Sequence, residues 1–242
     1  MQYNIVILAG GFGTRLKELG EQTPKGLLKT GSDTLIGELA KAVKELEEPH
    51  KVVLVTNARF YPQYQAWCSS CGDPLLSQIV DDGATSPDLR LGALGDLELA
   101  SRNLDQHYPT IVLPSDTFFT FELSELTKVY EQYQAFTTAV YEVPKEQIAN
   151  RLGCAVMDGE IVRSFEEKPA EPQSNWACAP FYIYPPEILK RLPEYRMSGG
   201  SMDAPSHIIP WLLEQSIPVY AAKVPTAIDV GTQEDASVVA GK

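Results

Sequence analysis

A glycine-rich stretch, Leu8-Ala9-Gly10-Gly11-Phe12-Gly13-Thr14-Arg15, directly follows the start of the apolar run Ile5–Leu8, and a second cation, Lys25, stands downstream of Pro24. Glycines let a backbone pass close to a ligand and adopt positive φ. Successive N–H groups in such a loop form a concavity for phosphate oxygens. Arg15 and Lys25 add full charges where the N–H groups offer only partial ones. These residue types at this spacing support the handling of a nucleoside triphosphate. Two familiar phosphate loops do not fit. Leu16 stands where a dinucleotide fingerprint needs its third glycine, and the Gly-Lys-Ser/Thr of a P-loop is absent. A plain strand-to-helix turn is the competing reading.

Three further places carry chemistry-bearing side chains. Leu113-Pro114-Ser115-Asp116 ends an apolar run, and in open parallel sheets ligand groups project from the carboxyl ends of strands. Taken alone, Asp116 reads as a turn or capping aspartate. Phe165-Glu166-Glu167-Lys168-Pro169 sets acids beside a cation, suited to a polar phosphorylated substrate or simply to a solvated charge pair. Ile228-Asp229-Val230-Gly231-Thr232 puts a carboxylate on an apolar strand, which is costly unless a metal, cation or hydrogen bond meets it. Four cysteines fit a reducing compartment; Cys68 and Cys71 form a C-x-x-C, but Cys154 and Cys178 lie far from them, and no histidine stands at ligand spacing. Structural or incidental thiols are the better reading.

The elements that must position these groups follow from periodicity. Helical spacing marks Leu35 to Leu46 (with Ser32, Asp33 or Thr34 as cap), Arg59 to Trp67, Leu91 to Asn103 and Leu123 to Tyr133. Between them, Ile5–Leu8, Val52–Val55, Ile79–Val80 and Thr110–Leu113 read as buried strands. This alternation predicts a three-layer α/β/α sandwich with a mixed, mostly parallel Rossmann-like sheet. After Thr137 the pattern turns β-rich, through Thr137–Val143, Cys154–Met157, Ile161–Phe165 and Trp176–Tyr184, with Asp158-Gly159 as a hairpin turn. A short helix from Pro186, a helix around His207 to Glu214, and strands at Val219–Lys223 and Ile228–Val230 complete the expectation. One domain over residues 1–242 is expected, with an NTP-binding half to about residue 135 and a β-rich acceptor half from about 136.

Composition bounds the partners. The 242 residues are 44% hydrophobic and 21% charged, as in ordinary globular chains, with no apolar run long enough for a membrane span. The start, Met1-Gln2-Tyr3-Asn4, lacks the basic region and cleavage site of a signal peptide, so a cytoplasmic location is expected. A net charge of −12 argues against nucleic acid as a partner. It also requires a triphosphate site to be built locally from a few cations and a metal.

In this order, Gly10-Gly11-Phe12-Gly13-Thr14-Arg15-Leu16 with Pro24-Lys25, then Leu113-Pro114-Ser115-Asp116, Phe165-Glu166-Glu167-Lys168-Pro169 and Ile228-Asp229-Val230-Gly231-Thr232 with Glu234, resemble the sugar-phosphate nucleotidylyltransferases of the GT-A-like nucleotidyltransferase fold. The resemblance spans residues 4 to about 236. It implies an Mg²⁺-dependent enzyme that condenses an NTP with a sugar 1-phosphate, giving an NDP-sugar and pyrophosphate. By the same resemblance, Arg15 and Lys25 are the catalytic cations, and Asp116 and Asp229 are the metal ligands. Nucleotide contacts fall on Leu8, Ala9, Gly10, Gly11, Gly13, Thr14, Arg15, Asp82, Gly92 and Ser115. Substrate contacts fall on Gly153, Glu167, Lys168 and Ala179. Members of the family are often dimers or tetramers, so a homo-oligomer is compatible with the resemblance. Two segments depart from the family pattern. Cys178-Ala179-Pro180 replaces a common Asn-Ala-Gly at the sugar site, and Asp81-Asp82-Gly83 with Arg90-Leu91-Gly92-Ala93 replaces a common Pro-Leu-Gly-Thr near the base. These keep open a non-sugar acceptor such as phosphocholine or a cyclitol phosphate, and a non-catalytic nucleotide- or sugar-sensing module. No hexapeptide repeats of a left-handed β-helix occur, so no appended acyltransferase or assembly domain is expected.

Overall fold

The computed structural model describes residues 1–16, 20, 22–31, 33–46, 49–71, 78–232, 234, 235 and 237. The first strand, β1 (Asn4–Ala9), is followed by a small ribbon of β2 (Lys29–Thr30) and β3 (Asp33–Thr34), then by α1 (Leu35–Lys44). Thr34 caps α1 by accepting from Gly37 N at 3.1 Å, a contact worth about 1 kcal/mol. Of the other cap candidates, Asp33 lies in the ribbon, while Ser32 lies outside the described residues. Next come β4 (Lys51–Thr56), α2 (Tyr61–Cys71), β5 (Ile79–Asp81), α3 (Ala93–Ser101), β6 (Thr110–Pro114), β7 (Thr117–Phe119) and α4 (Ser124–Tyr133). The second half contains β8 (Phe136–Glu142), α5 (Lys145–Ile148), β9 (Cys154–Asp158), β10 (Ile161–Glu166) and β11 (Trp176–Tyr184). It ends with α6 (Pro186–Leu189), α7 (Leu192–Met197), α8 (Ile208–Glu214), β12 (Val219–Lys223) and β13 (Ala227–Asp229).

Nine strands form one sheet in the order β5-β4-β1-β6-β11-β8-β12-β10-β9. The pairs β5–β4, β4–β1, β1–β6 and β8–β12 are parallel, whereas β11 runs antiparallel to both β6 and β8, and β10 to both β12 and β9. The sheet is therefore mixed rather than mostly parallel as expected: from β6 onward, among the described strands, β8–β12 is the one parallel pair and the others are antiparallel, because β11 and β10 insert against their neighbours' direction. Alternation along each strand splits the core between the two faces. Ile5, Ile7 and Leu54 pack with Ile36 and Leu39 of α1, Tyr64 of α2 and Leu126 of α4, while Val6, Val53 and Val55 pack with Leu94 and Leu97 of α3, Leu192 of α7 and Ile208 of α8. Both faces of β1 are thus dry, which accounts for its unbroken apolar run.

The strand expected at the C-terminal end forms as a separate ribbon. The run at Ile228–Val230 does not enter the large sheet. Instead β13 pairs antiparallel with β7, with Asp229 opposite Thr117 and Ala227 opposite Phe119. Phe119 packs edge-on against Phe181 of β11 at 5.0 Å, which seats this ribbon on the sheet.

Candidate active site

The parallel strands β1 and β6 end side by side, with Leu8 paired to Pro114 and Ser115 N donating to Leu8 O at 3.1 Å. Everything that leaves these strand ends is therefore close by. The glycine-rich loop leaves β1. Asn57, fully buried at the end of β4, holds it by donating from Nδ2 to Gly10 O at 3.0 Å while its Oδ1 accepts from Phe60 N. Phe12 is buried beside Phe60, and Gly13 takes φ +65 and accepts from Leu16 N at 2.9 Å. Gly11 is open on all sides, and Arg15 is largely solvent-facing.

Lys25 opens a short 3-10 turn (Lys25–Leu27) and is mostly covered, with its Nζ 2.7 Å from Asp116 Oδ2. The β7–β13 ribbon brings Asp229 to the same place, because Val230 N donates to Asp116 O at 3.0 Å. The Arg15 guanidinium lies 4.0 Å from Asp229 Oδ2 and against Gly231, where a side chain would meet it. Two carboxylates and two cations from four separate stretches of chain thus converge beyond the end of β1. Asp229 keeps part of its side chain exposed, yet the protein packed around it, and then the Asp116 carboxylate, push its pKa up to about 6. Burial works against the Lys25 ammonium, but Asp116 and Asp229 outweigh it and hold the pKa above the usual lysine range.

These two carboxylates fit a divalent cation. Their mutual repulsion is what such an ion relieves, and Mg²⁺ commonly takes one or two carboxylates and completes its shell with phosphate oxygens and water. Among the described residues no group of three or more His, Cys, Asp and Glu is placed to hold a metal alone. The cysteines are free: Cys68, Cys154 and Cys178 are buried, and Cys71 is exposed at the end of α2.

The expected base-side residues lie around the glycine-rich loop. Asp82 N donates to Thr56 O, and Asp82 Oδ1 accepts from Ala84 N at 2.7 Å. Asp82 lies against Asp96 of α3, and a side chain at Gly10 would collide with the Asp96 carboxyl. Burial first, then the Asp82 charge, push Asp96 up to about 8, so the two carboxyls resist ionising together. Gly92 starts α3 at φ +80, and a side chain there would collide with Met202 O.

On the acceptor side, Gly153 N–Cα–C packs so closely that a side chain would meet the Phe165 ring at 2.6 Å and Glu167 Oε2 at 3.1 Å. Glu167 Oε2 accepts from Ser206 Oγ at 2.7 Å, and Lys168, at φ +49, holds its Nζ 3.9 Å from Glu167 Oε1. Ala179 differs from the others: its methyl is fully buried in β11, paired with Ala139, and offers no side-chain surface to a substrate. Cys178, pushed up to about 12 by burial, lies within electrostatic reach of Glu167, and Tyr141 lies within reach of both Cys178 and Asp229.

Four residues with roles here escape sequence reasoning. Asp96 had a usable signal, a carboxylate between Leu94 and Leu97 on the apolar face of a helix. Asn57, Ser206 and Tyr64 had none. Tyr64 is fully buried on α2 with its hydroxyl between the Ser115 side chain and the Gly26 backbone, directly behind Lys25 and Asp116. Glu234, expected to complete the last motif, is exposed; Asp235 instead accepts from Thr232 N at 2.8 Å and Gly231 N at 3.2 Å.

Comparison with known proteins identifies the family. A family model described as nucleotidyl transferase matches residues 4–240. The catalytic subunit beta of a mannose-1-phosphate guanylyltransferase from Drosophila pseudoobscura pseudoobscura is 29% identical over 189 residues, covering 77% of this chain and 49% of that protein. A protein of Oryza sativa subsp. japonica named as a mannose-1-phosphate guanylyltransferase is 31% identical over 192 residues, covering 77% and 51%. The chain thus spans about half the length of these curated relatives. A crystal structure assigned as a glucose-1-phosphate thymidylyltransferase from Bacillus anthracis, in complex with sucrose, superposes with a TM-score of 0.79 at 18% identity, covering 99% of this chain and 94% of that one. The glycine-rich loop, the paired cations and the nearly full-length match together make this chain a member of the nucleotidyl transferase family.

Proposed function

We propose that the chain catalyses attack of a sugar 1-phosphate oxygen on the α-phosphorus of an NTP, with release of pyrophosphate. One observation carries this reading: Arg15, Lys25, Asp116 and Asp229 converge where the glycine-rich loop leaves β1. Two polyanions must approach each other, so neutralisation and in-line positioning are the main tasks. The loop N–H groups cradle the triphosphate. Arg15, exposed and tethered only loosely, grips the leaving pyrophosphate. Lys25, held by Asp116, bears on the reacting phosphate oxygens. Asp116 and Asp229 would hold Mg²⁺, which when bound offsets the charge that develops at the α-phosphate. Lys168 anchors the acceptor phosphate and Glu167 its hydroxyls. Phosphate is already an anionic nucleophile, so no covalent intermediate is needed.

The same reading takes residues 1 to about 135 as the NTP-binding half and the remainder as the acceptor half of one domain. It takes the helices as outer layers of a three-layer GT-A-like sandwich, and the location as cytoplasmic. Among the described residues no helix is long and apolar enough to cross a membrane. The relatives' names make GTP and mannose 1-phosphate the first pair to test.

The test is pyrophosphate release with Mg²⁺, crossing five nucleotides (ATP, CTP, GTP, UTP and dTTP) with sugar 1-phosphates, cyclitol phosphates and phosphocholine. Turnover with one nucleotide and one sugar 1-phosphate, lost in Asp116→Ala, is the expected result. Turnover with the non-sugar phosphates alone would replace the acceptor class, and NTP binding without turnover would favour a sensing module.

A further inference from the structure

The segment from Ser201 to His207 belongs to none of the four sequence motifs, yet it touches both sides of the site. Toward the base side, Met202 O accepts from Leu94 N at 2.9 Å and Asp203 O from Ala93 N at 3.3 Å, so this strap supplies acceptors for N–H groups in the first turn of α3. Arg90 reaches Asp203 Oδ1 at 3.3 Å. The approach is so close that only glycine fits at position 92. Toward the acceptor side, the buried Ser206 donates from Oγ to Glu167 Oε2 at 2.7 Å. Two tyrosines fix the strap from beneath. Tyr184 OH donates to Pro205 O at 2.9 Å, and Tyr195 OH lies 3.1 Å from Ser201 O and 3.0 Å from His207 O.

We propose that Ser206 is a positioning residue: its hydroxyl pins one oxygen of Glu167, so that the other faces the acceptor, and the strap that carries it sets this carboxylate relative to the loop opening α3. The proposal rests on the reading of Glu167 as an acceptor contact. Among the described residues, Glu167 has besides Ser206 the looser ion pair with Lys168 at 3.9 Å. A hydroxyl donating to a carboxylate is a charge-assisted bond, and its loss costs more than that of a neutral one. Holding the carboxylate in one orientation before the acceptor arrives removes an ordering cost from binding.

The experiment measures KM for the acceptor, KM for the NTP and kcat by pyrophosphate release, for the wild type, Ser206→Ala, Ser206→Cys and Ser206→Thr. Cysteine fills the space but is a weak donor, and threonine keeps the hydroxyl. The expected result is an acceptor KM raised about tenfold in Ser206→Ala and Ser206→Cys, with NTP KM within about twofold of wild type, and recovery in Ser206→Thr. In a Glu167→Gln background Ser206→Ala should add little, because both changes remove one interaction. Wild-type acceptor KM in Ser206→Cys would overturn the proposal while leaving the reaction intact. So would equal rises of both KM values together with a lowered melting temperature, since that pattern reports a structural role. An inactive wild type across all nucleotide and sugar-phosphate pairs would instead overturn the proposed function, and this inference with it.

Discussion

Lys25 Nζ lies 2.7 Å from Asp116 Oδ2, and the lysine is mostly covered from solvent. Lys25→Ala should lower kcat by at least 100-fold, corresponding to about 3 kcal/mol of lost transition-state stabilisation, with NTP binding less affected; steady-state and equilibrium binding measurements separate the two. On the glycine-rich loop, Gly10 faces Asp96 with no room for a side chain. Gly10→Ala should weaken NTP binding by about tenfold, as overpacking pushes the loop outward, and titration with a fluorescent NTP analogue checks it. The burial of Asp96 beside Asp82 has a consequence for stability. The folded chain holds the Asp96 proton up to about pH 8, whereas an unfolded aspartate loses it near pH 4. The folded state binds more protons in that window, so this pair's contribution fades as pH rises from about 4 to 8. Asp96→Asn keeps a donor toward Asp82 without the charge. Its melting temperature should exceed that of the wild type by a few degrees at pH 8.5, with the gap closing toward pH 5. Equal gaps at both pH values in thermal melts would contradict this assignment.

At the scale of elements, the β7–β13 ribbon decides whether the site exists. It is short, and its Asp229-to-Thr117 register places the second carboxylate beside the first. Its anchor is aromatic, Phe119 against Phe121 and Phe181, with ring centroids at 5.2 and 5.0 Å. Phe119→Ala should cost about 2–3 kcal/mol of stability, less than a fully buried phenylalanine because Phe119 is only partly covered. It should also depress kcat beyond what the stability loss explains, since both carboxylates shift; denaturant melts and kinetics at a temperature where the variant is folded read the two effects. Single elements were legible in the sequence where one period dominated. The unbroken apolar run of β1, a cap among Ser32, Asp33 and Thr34 ahead of α1, and the Gly159 turn between β9 and β10 all read locally. The ribbon did not, because a three-residue strand carries no period and its partner is more than a hundred positions away.

For the whole molecule, a net charge of −12 and the proposed site for polyanions are compatible because Arg15 and Lys25 are gathered at one place. Binding a triphosphate with its metal links elements from across the chain, so it should stabilise the fold as a unit. An Mg–NTP concentration of about 100 Kd should contribute about 2.7 kcal/mol and raise the melting temperature by roughly 5–10 °C. The rise should vanish with a chelator present. A rise that persists undiminished in Asp116→Ala would show that this carboxylate is not part of the metal and nucleotide site.

The sequence by itself determined the glycine-rich loop, the two cations, the two aspartates and the strand-and-helix alternation that presents them, because each depends on residue type and spacing within a short stretch. Tertiary structure alone decided which of these meet. It placed Asp229 beside Asp116 through a ribbon rather than through the large sheet, buried the Ala179 methyl away from any substrate, and set Ser206 behind Glu167. It also paired Asp82 with Asp96 behind Gly10. The physical reason is the same in each case. Contacts between distant stretches are selected by how whole faces pack and pair, and no local pattern encodes which distant side chain will complete a hydrogen bond.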